Sequence, residues 1–360
     1  MSEALMSDTS HPSYLRLAES GELARRVDRL EQMLESCTLC PWDCRVNRLK
    51  NETKVCVAGY LPIVSSHGPH FGEEPALSGT HLDAGRAKGA GNIFLGHCNL
   101  RCVYCQNWQI SQNFRQSGET SFERLAAMML ELQEQGCHNI GFVSPTHFSA
   151  QIVRALNLAV AGGLRLPLIY NTNAYDSVEA LRQLEGIFDI YLPDLKYSSS
   201  SVAHEYSQIP HYVESARAAI LEMYRQVGDK LVMDEAEQGL LRRGLVIRLL
   251  VLPNELAGIR ESLEWIHDHL SPRVTLSLMA QYYPTHKVGK PARLSGEEMF
   301  PLLTRKIRPR EWDQVLEIVD RLGFENGWIQ PLESDAPDYY RPDFDDPILP
   351  FRDARDFQPA

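Results

Sequence analysis

Apolar residues recur along this chain with two periods that alternate. From residue 91 onward, short apolar runs of strand length are each followed by a stretch with helical spacing. NIFLG (92–96) precedes a helix near 121–135, NIGFV (139–143) one near 149–161, and LPLIYNTN (166–173) one near 177–184. FDIYLPD (188–194) leads to a helix near 211–227 and VIRLLVLP (246–253) to one near 257–269. VTLSLMAQYYP (274–284) is followed by helical stretches near 296–304 and 310–322. Strands that are apolar on both faces and joined by helices imply a parallel sheet, and right-handed crossovers curl it toward a barrel. The expected fold class is α/β, a partial (β/α)6 TIM-like barrel. Thr120 with Glu123, and Ser295 with Glu298, fit capping boxes that start two of its helices.

Around this core the pattern changes. Leu15, Leu17, Leu23, Val27, Leu30 and Leu34 mark an amphipathic helix within 12–36. The expected organisation is a helical segment at 1–36, a Cys-rich extension at 37–90, the barrel at 91–330 and an irregular tail at 331–360. The tail is rich in Pro, Asp and aromatics, and KLVMDEAEQGLLRRG (230–244) interrupts the repeats as an inserted hairpin or loop.

Composition narrows the function. The 360 residues are 44% hydrophobic and 23% charged, values of an ordinary globular chain, and the net charge of −11 argues against nucleic acid or an anionic membrane as partner. No apolar run approaches the roughly 18 residues needed to span a bilayer, and MSEALMSDTSHPSY lacks the pattern of a secretory signal, so a cytoplasmic protein is expected. Seven of eight cysteines fall into two clusters, which in a reducing compartment point to metal chemistry before disulfides. Cys137 stands alone and reads as a small buried hydrophobe.

Cys98, Cys102 and Cys105, in GHCNLRCVYCQN, leave the first barrel strand as C-x3-C-x2-C. Three thiolates can hold a [4Fe-4S] cluster while leaving one iron without a protein ligand. The alternative is a zinc knuckle that adds His97. Cys37, Cys40, Cys44 and Cys56 form C-x2-C-x3-C-x11-C, a closed set of four soft ligands for zinc or for an auxiliary iron-sulfur cluster.

The triplet, with Tyr104 before its last cysteine, resembles the radical S-adenosylmethionine (SAM) superfamily signature. CTLCPWDCRVNR, VSPTHF, YNTNAY, YLPDLKY, LVLPNE and GFENGWIQ extend the likeness to the branch of uncharacterised iron-sulfur proteins related to the pyruvate formate-lyase activating enzyme. The resemblance implies a half-barrel of the radical SAM type, SAM chelated by the free iron, and reductive cleavage of SAM to a 5′-deoxyadenosyl radical that abstracts hydrogen. It also implies an electron donor such as flavodoxin or ferredoxin, and a protein or peptide substrate, glycyl-radical activation being one reaction of that type. Radical modification of a small molecule, or a non-catalytic iron-sulfur or zinc protein, are the competing readings.

Functional groups of a parallel barrel gather at the carboxyl ends of its strands. After the second strand many members of the superfamily have Gly-Gly-Glu, whereas this chain has Ser144-Pro145-Thr146-His147, whose polar groups can meet the SAM ammonium or cap a helix. Asn171, Thr172 and Asn173 end the third strand, and Asp194 and Lys196 the fourth. The resemblance places these near the methionine end of SAM, with Lys196 on its carboxylate. Arg248, in an apolar strand, needs an anion, which is the SAM carboxylate, a substrate carboxylate or an internal partner. Gln281, Tyr282, Tyr283 and His286 close the sixth strand and are expected to face substrate, with Tyr282 and Tyr283, and Tyr339 and Tyr340 of the tail, near the path of a peptidyl one.

Overall fold

The computed structural model describes residues 11–79, 89–113, 118–234, 239–332 and Phe344. Two helices, α1 (Tyr14–Glu19) and α2 (Glu22–Glu35), stand where one was expected, because Gly21 takes a left-handed conformation between them. Leu23, Val27, Leu30 and Leu34 form the buried stripe of α2. The quartet segment that follows has little regular structure. Arg48 fastens it to the core by donating to the carbonyls of Gly59 and His147.

The sheet begins earlier than expected. β1 (Val64–His70) lies within the predicted extension, yet it pairs antiparallel with the second strand. VSSHGPH carries Gly and Pro and no apolar alternation, a composition that an edge strand tolerates and that hides it from periodicity. After α3 (Pro75–Ser78) come β2 (Ala90–Leu95), α4 (Trp108–Ser111), α5 (Phe122–Glu134), β3 (Ile140–Val143), α6 (Ser149–Ala161), β4 (Leu168–Thr172) and α7 (Val178–Leu184). The chain continues through β5 (Ile190–Pro193), α8 (Ser200–Ser207), α9 (Tyr212–Val227), β6 (Val232–Met233) and β7 (Leu241–Leu250). It closes with α10 (Ile259–His269), β8 (Thr275–Met279), α11 (Pro309–Leu322) and β9 (Gly327–Ile329).

Strand order is β1-β2-β3-β4-β5-β7-β8-β9, and every neighbouring pair from β2 to β9 is parallel. Short β6 pairs antiparallel with β7, which makes the 230–244 interruption a hairpin. Among the described residues β1 and β9 are paired on one side only, so the barrel is partial and open between them. β2 is buried at all six positions, as a strand covered on both faces should be.

Three further expectations need correction. No helix occupies 296–304, where only a short turn of 3-10 helix at Pro301–Leu303 forms. Ser295 caps nothing there, since its hydroxyl accepts from the Glu297 N–H in a local turn. At α5 the cap is Ser121, not Thr120, and its Oγ accepts the Arg124 N–H at 3.1 Å. Helix α8 was unexpected because its serine-rich start reads as loop, and β9 because three residues are too few to show a period. Of the tail beyond Leu332, only Phe344 is described. It is buried against Phe94, with ring centroids 5.4 Å apart, while Tyr339 and Tyr340 lie outside the described residues.

Candidate active site

The carboxyl ends of the parallel strands surround a cavity of about 530 Å³. Cys98, Cys102 and Cys105 reach it from the loop after β2, Ser144 from β3, Asn171, Thr172 and Asn173 from β4, and Asp194 and Lys196 from β5. Arg248, Gln281 and Gln330 complete the ring from β7, β8 and β9. One wall was not foreseen: Glu73 and Glu74, in the loop after β1, also line it.

The cysteine loop is held from several sides. His97 turns it with a positive φ of 67° and donates its backbone N–H to Ile110. The N–H groups of Arg101 and Val103 donate to the carbonyls of Ser207 and Tyr206 at the end of α8. The Arg101 guanidinium donates to the carbonyls of Cys98, Leu100 and Val55, so one side chain joins the triplet loop to the quartet segment.

Each sulfur has donors around it. Cys98 Sγ accepts from the Leu100 N–H at 3.4 Å and from Asn173 Nδ2 at 3.6 Å. Cys105 Sγ lies 3.2 Å from Ser111 Oγ. A chain of hydroxyls, Tyr104 to Tyr197 to Ser207, spans 2.7 and 2.6 Å and ends on Cys102 Sγ at 3.0 Å. Burial pushes all three thiols up, Cys105 to about 12, while these donors and the Lys196 ammonium act the other way. Such donors favour the thiolate, the form that ligates metal. Three thiols at the cavity with hydrogen bonds arranged for thiolates therefore fit a cluster with one open iron.

Lys196 lies 2.6 Å from Asp194 Oδ2. Burial alone lowers its pKa, but the Asp194 carboxylate and the sulfur of Cys102 outweigh burial and keep it raised, so the side chain is a firm cation at the cavity wall. Of the three anions expected for Arg248, the structure supplies the internal one. Arg248 Nε donates to Glu74 Oε1 at 2.7 Å and its Nη2 to Glu73 and Glu74. Two carboxylates satisfy the buried guanidinium internally, and Glu73 in turn accepts from Asn92 Nδ2 at 2.6 Å.

Thr146 and His147, expected either at the SAM ammonium or at a helix entry, do not line the cavity. Both are buried behind the wall. Thr146 Oγ1 lies 3.2 Å from Thr172 Oγ1, and His147 Nε2 lies 2.9 Å from the Gly96 carbonyl. Burial lowers the His147 pKa to about 3, so it is a neutral support under the cysteine loop. Tyr282 donates to the Leu303 carbonyl and packs edge-on to Tyr104, and His286 stacks on Trp108. Tyr282, Tyr283, His286 and His97 are not among the residues lining the cavity.

The quartet lies against the same loop. Trp42, between Cys40 and Cys44, donates its Nε1 to the Asn99 carbonyl at 2.8 Å. Cys40 accepts the Trp42 N–H and Cys44 the Val46 N–H, and Cys37 contacts Cys44 through its side chain. Among the described residues no three His, Cys, Asp or Glu side chains converge as round a single ion. That holds for the quartet and the triplet alike.

An uncharacterized protein of Methanocaldococcus jannaschii, MJ0674, is 25% identical over 312 residues, which are 83% of this chain and 79% of that one. Among solved structures, the radical SAM methyltransferase TsrM from Kitasatospora setae, with cobalamin and a [4Fe-4S] cluster bound, matches at 12% identity and a TM-score of 0.44, covering 75% of this chain and 62% of that one. The [FeFe]-hydrogenase maturase HydG matches at 10% and 0.43 over 66% of this chain, and this chain spans only 50% of its length. The Radical SAM superfamily profile matches residues 92–236, from β2 through the triplet to β6. Residues 92–236, which carry the triplet, are therefore similar to the radical SAM superfamily, whose members use a [4Fe-4S] cluster and SAM.

Proposed function

We propose that the enzyme abstracts hydrogen from a polypeptide, in a reaction of the glycyl-radical activating type, with Cys98, Cys102 and Cys105 holding the cluster. When bound, cluster and SAM together supply a 5′-deoxyadenosyl radical after a one-electron reduction. The chain's own residues orient and shield that chemistry. Lys196, fixed by Asp194, offers a positive charge to the SAM carboxylate. Ser144, Asn171 and Thr172 offer short polar contacts beside it, and the hydroxyl chain from Tyr104 fixes the charge on Cys102.

The observation that supports a peptidyl substrate is the open side of the sheet. Trp328 and Ile329 of edge strand β9 line the cavity, and Ile329 is 54% exposed. An extended peptide can align with such an edge and present one Cα–H to the interior. A small-molecule site would be expected to close around its ligand.

Deuterium transfer separates these substrates. Extract from cells grown in deuterated medium is divided by size and incubated anaerobically with enzyme, SAM and reductant. Deuterium should enter 5′-deoxyadenosine from the macromolecular fraction. Deuterium arriving only from the small-molecule fraction contradicts the peptidyl reading.

Lys196→Met should weaken SAM binding and leave iron content intact, because it removes one charge-assisted contact worth roughly 1.5 to 3 kcal/mol, about one to two decades in affinity. Equilibrium dialysis measures it, and unchanged affinity moves Lys196 to another role. Ser207→Ala should make the cluster's midpoint potential more negative, since the lost donor no longer stabilises the added electron. A potentiometric EPR titration that gives the wild-type value removes Ser207 from that role.

A further inference from the structure

The proposed activity uses the triplet and leaves the quartet without a task. Two of its sulfurs are bonded as two of the triplet's are. Cys40 and Cys44 each accept the backbone N–H two residues on, as Cys98 does from Leu100 and Cys105 from Asn107. Four thiolates saturate a metal centre, which leaves no position for substrate and restricts its work to structure or electron transfer.

Two sides of the quartet decide between those tasks. On the outer side, Thr38, Cys40, Asp43, Arg45 and Glu214 line a surface concavity of about 510 Å³. The side chains of Asp43 and Arg45 are 54% and 62% exposed there. On the inner side, the quartet segment touches the triplet loop twice. Trp42 Nε1 donates to the carbonyl of Asn99, the residue after Cys98, and Arg101 donates to the carbonyl of Val55, the residue before Cys56. Asn173 Nδ2 extends the first contact, because it bonds both Asn99 Oδ1 and Cys98 Sγ. A purely structural zinc needs neither a surface concavity at a ligand nor contacts that end beside the catalytic sulfurs.

We propose that Cys37, Cys40, Cys44 and Cys56 hold a second iron-sulfur cluster through which electrons from a low-potential one-electron protein donor reach the triplet. One electron leaves the donor, passes to the quartet centre and moves on to the triplet centre. No bond is made or broken at the quartet. The relay rests on SAM cleavage at the triplet, whereas the metal content of the quartet does not.

The test starts with the Cys98→Ala, Cys102→Ala, Cys105→Ala triple variant, reconstituted anaerobically and analysed for iron, sulfide and zinc. Iron and sulfide in equal amounts, with an EPR signal that reduced flavodoxin generates, are expected. Zinc alone, or no metal, overturns the second cluster, whatever becomes of SAM cleavage. The Cys40→Ser, Cys44→Ser variant then tests the route: by rapid-freeze EPR, flavodoxin should reduce the triplet cluster at least an order of magnitude more slowly than in the wild type. An equal rate overturns the relay. Should that variant fail to fold, the triple variant decides, since a quartet cluster that flavodoxin cannot reduce also overturns it.

Discussion

Three sulfur atoms that would carry negative charge as cluster ligands sit together at the end of one strand, and much of the surrounding structure answers that constraint. Burial favours the neutral thiol. The loop counters it with the N–H of Leu100, the amide of Asn173, the hydroxyls of Ser207 and Ser111, and the ammonium of Lys196. Apart from Leu100, these donors come from the ends of β4 and β5 and from α4 and α8, so the sheet and its helices must be assembled before the thiolates are all supported. Arg101 and Trp42 extend the same support to the quartet segment.

A second buried charge closes the opposite wall. Arg248 on β7 is matched by Glu73 and Glu74, and all three side chains are at most 11% exposed. Breaking such a pair leaves an uncompensated buried charge, a far larger loss than the pair's net contribution when intact. The pairing draws the loop after β1 over the cavity. It gives the antiparallel strand a reason to be part of the site as well as the sheet.

Much of this was legible in the sequence where the physics is local. Strands buried on both faces announced themselves as apolar runs, and the C-x3-C-x2-C spacing with Tyr104 pointed to a loop that lines the cavity. What stayed hidden depends on contacts distant along the chain. Glu73 and Glu74 stand together in HFGEEP, a signal that was there to be read, but their partner lies some 175 residues away. Ser207 carries no mark in SSSSVAHEYS until α8 brings it to Cys102. Thr146 and His147 follow a strand as site residues do, yet the turn after Pro145 points them under the loop, into the core and away from the cavity.

The central claim is that Cys98, Cys102 and Cys105 together hold the centre at which SAM is cleaved. Anaerobic production of 5′-deoxyadenosine by the three single Cys→Ala variants, each checked for wild-type circular dichroism, tests it most directly. Each variant should remain folded and lose reductive SAM cleavage, and production at the wild-type rate by any folded variant would contradict the assignment.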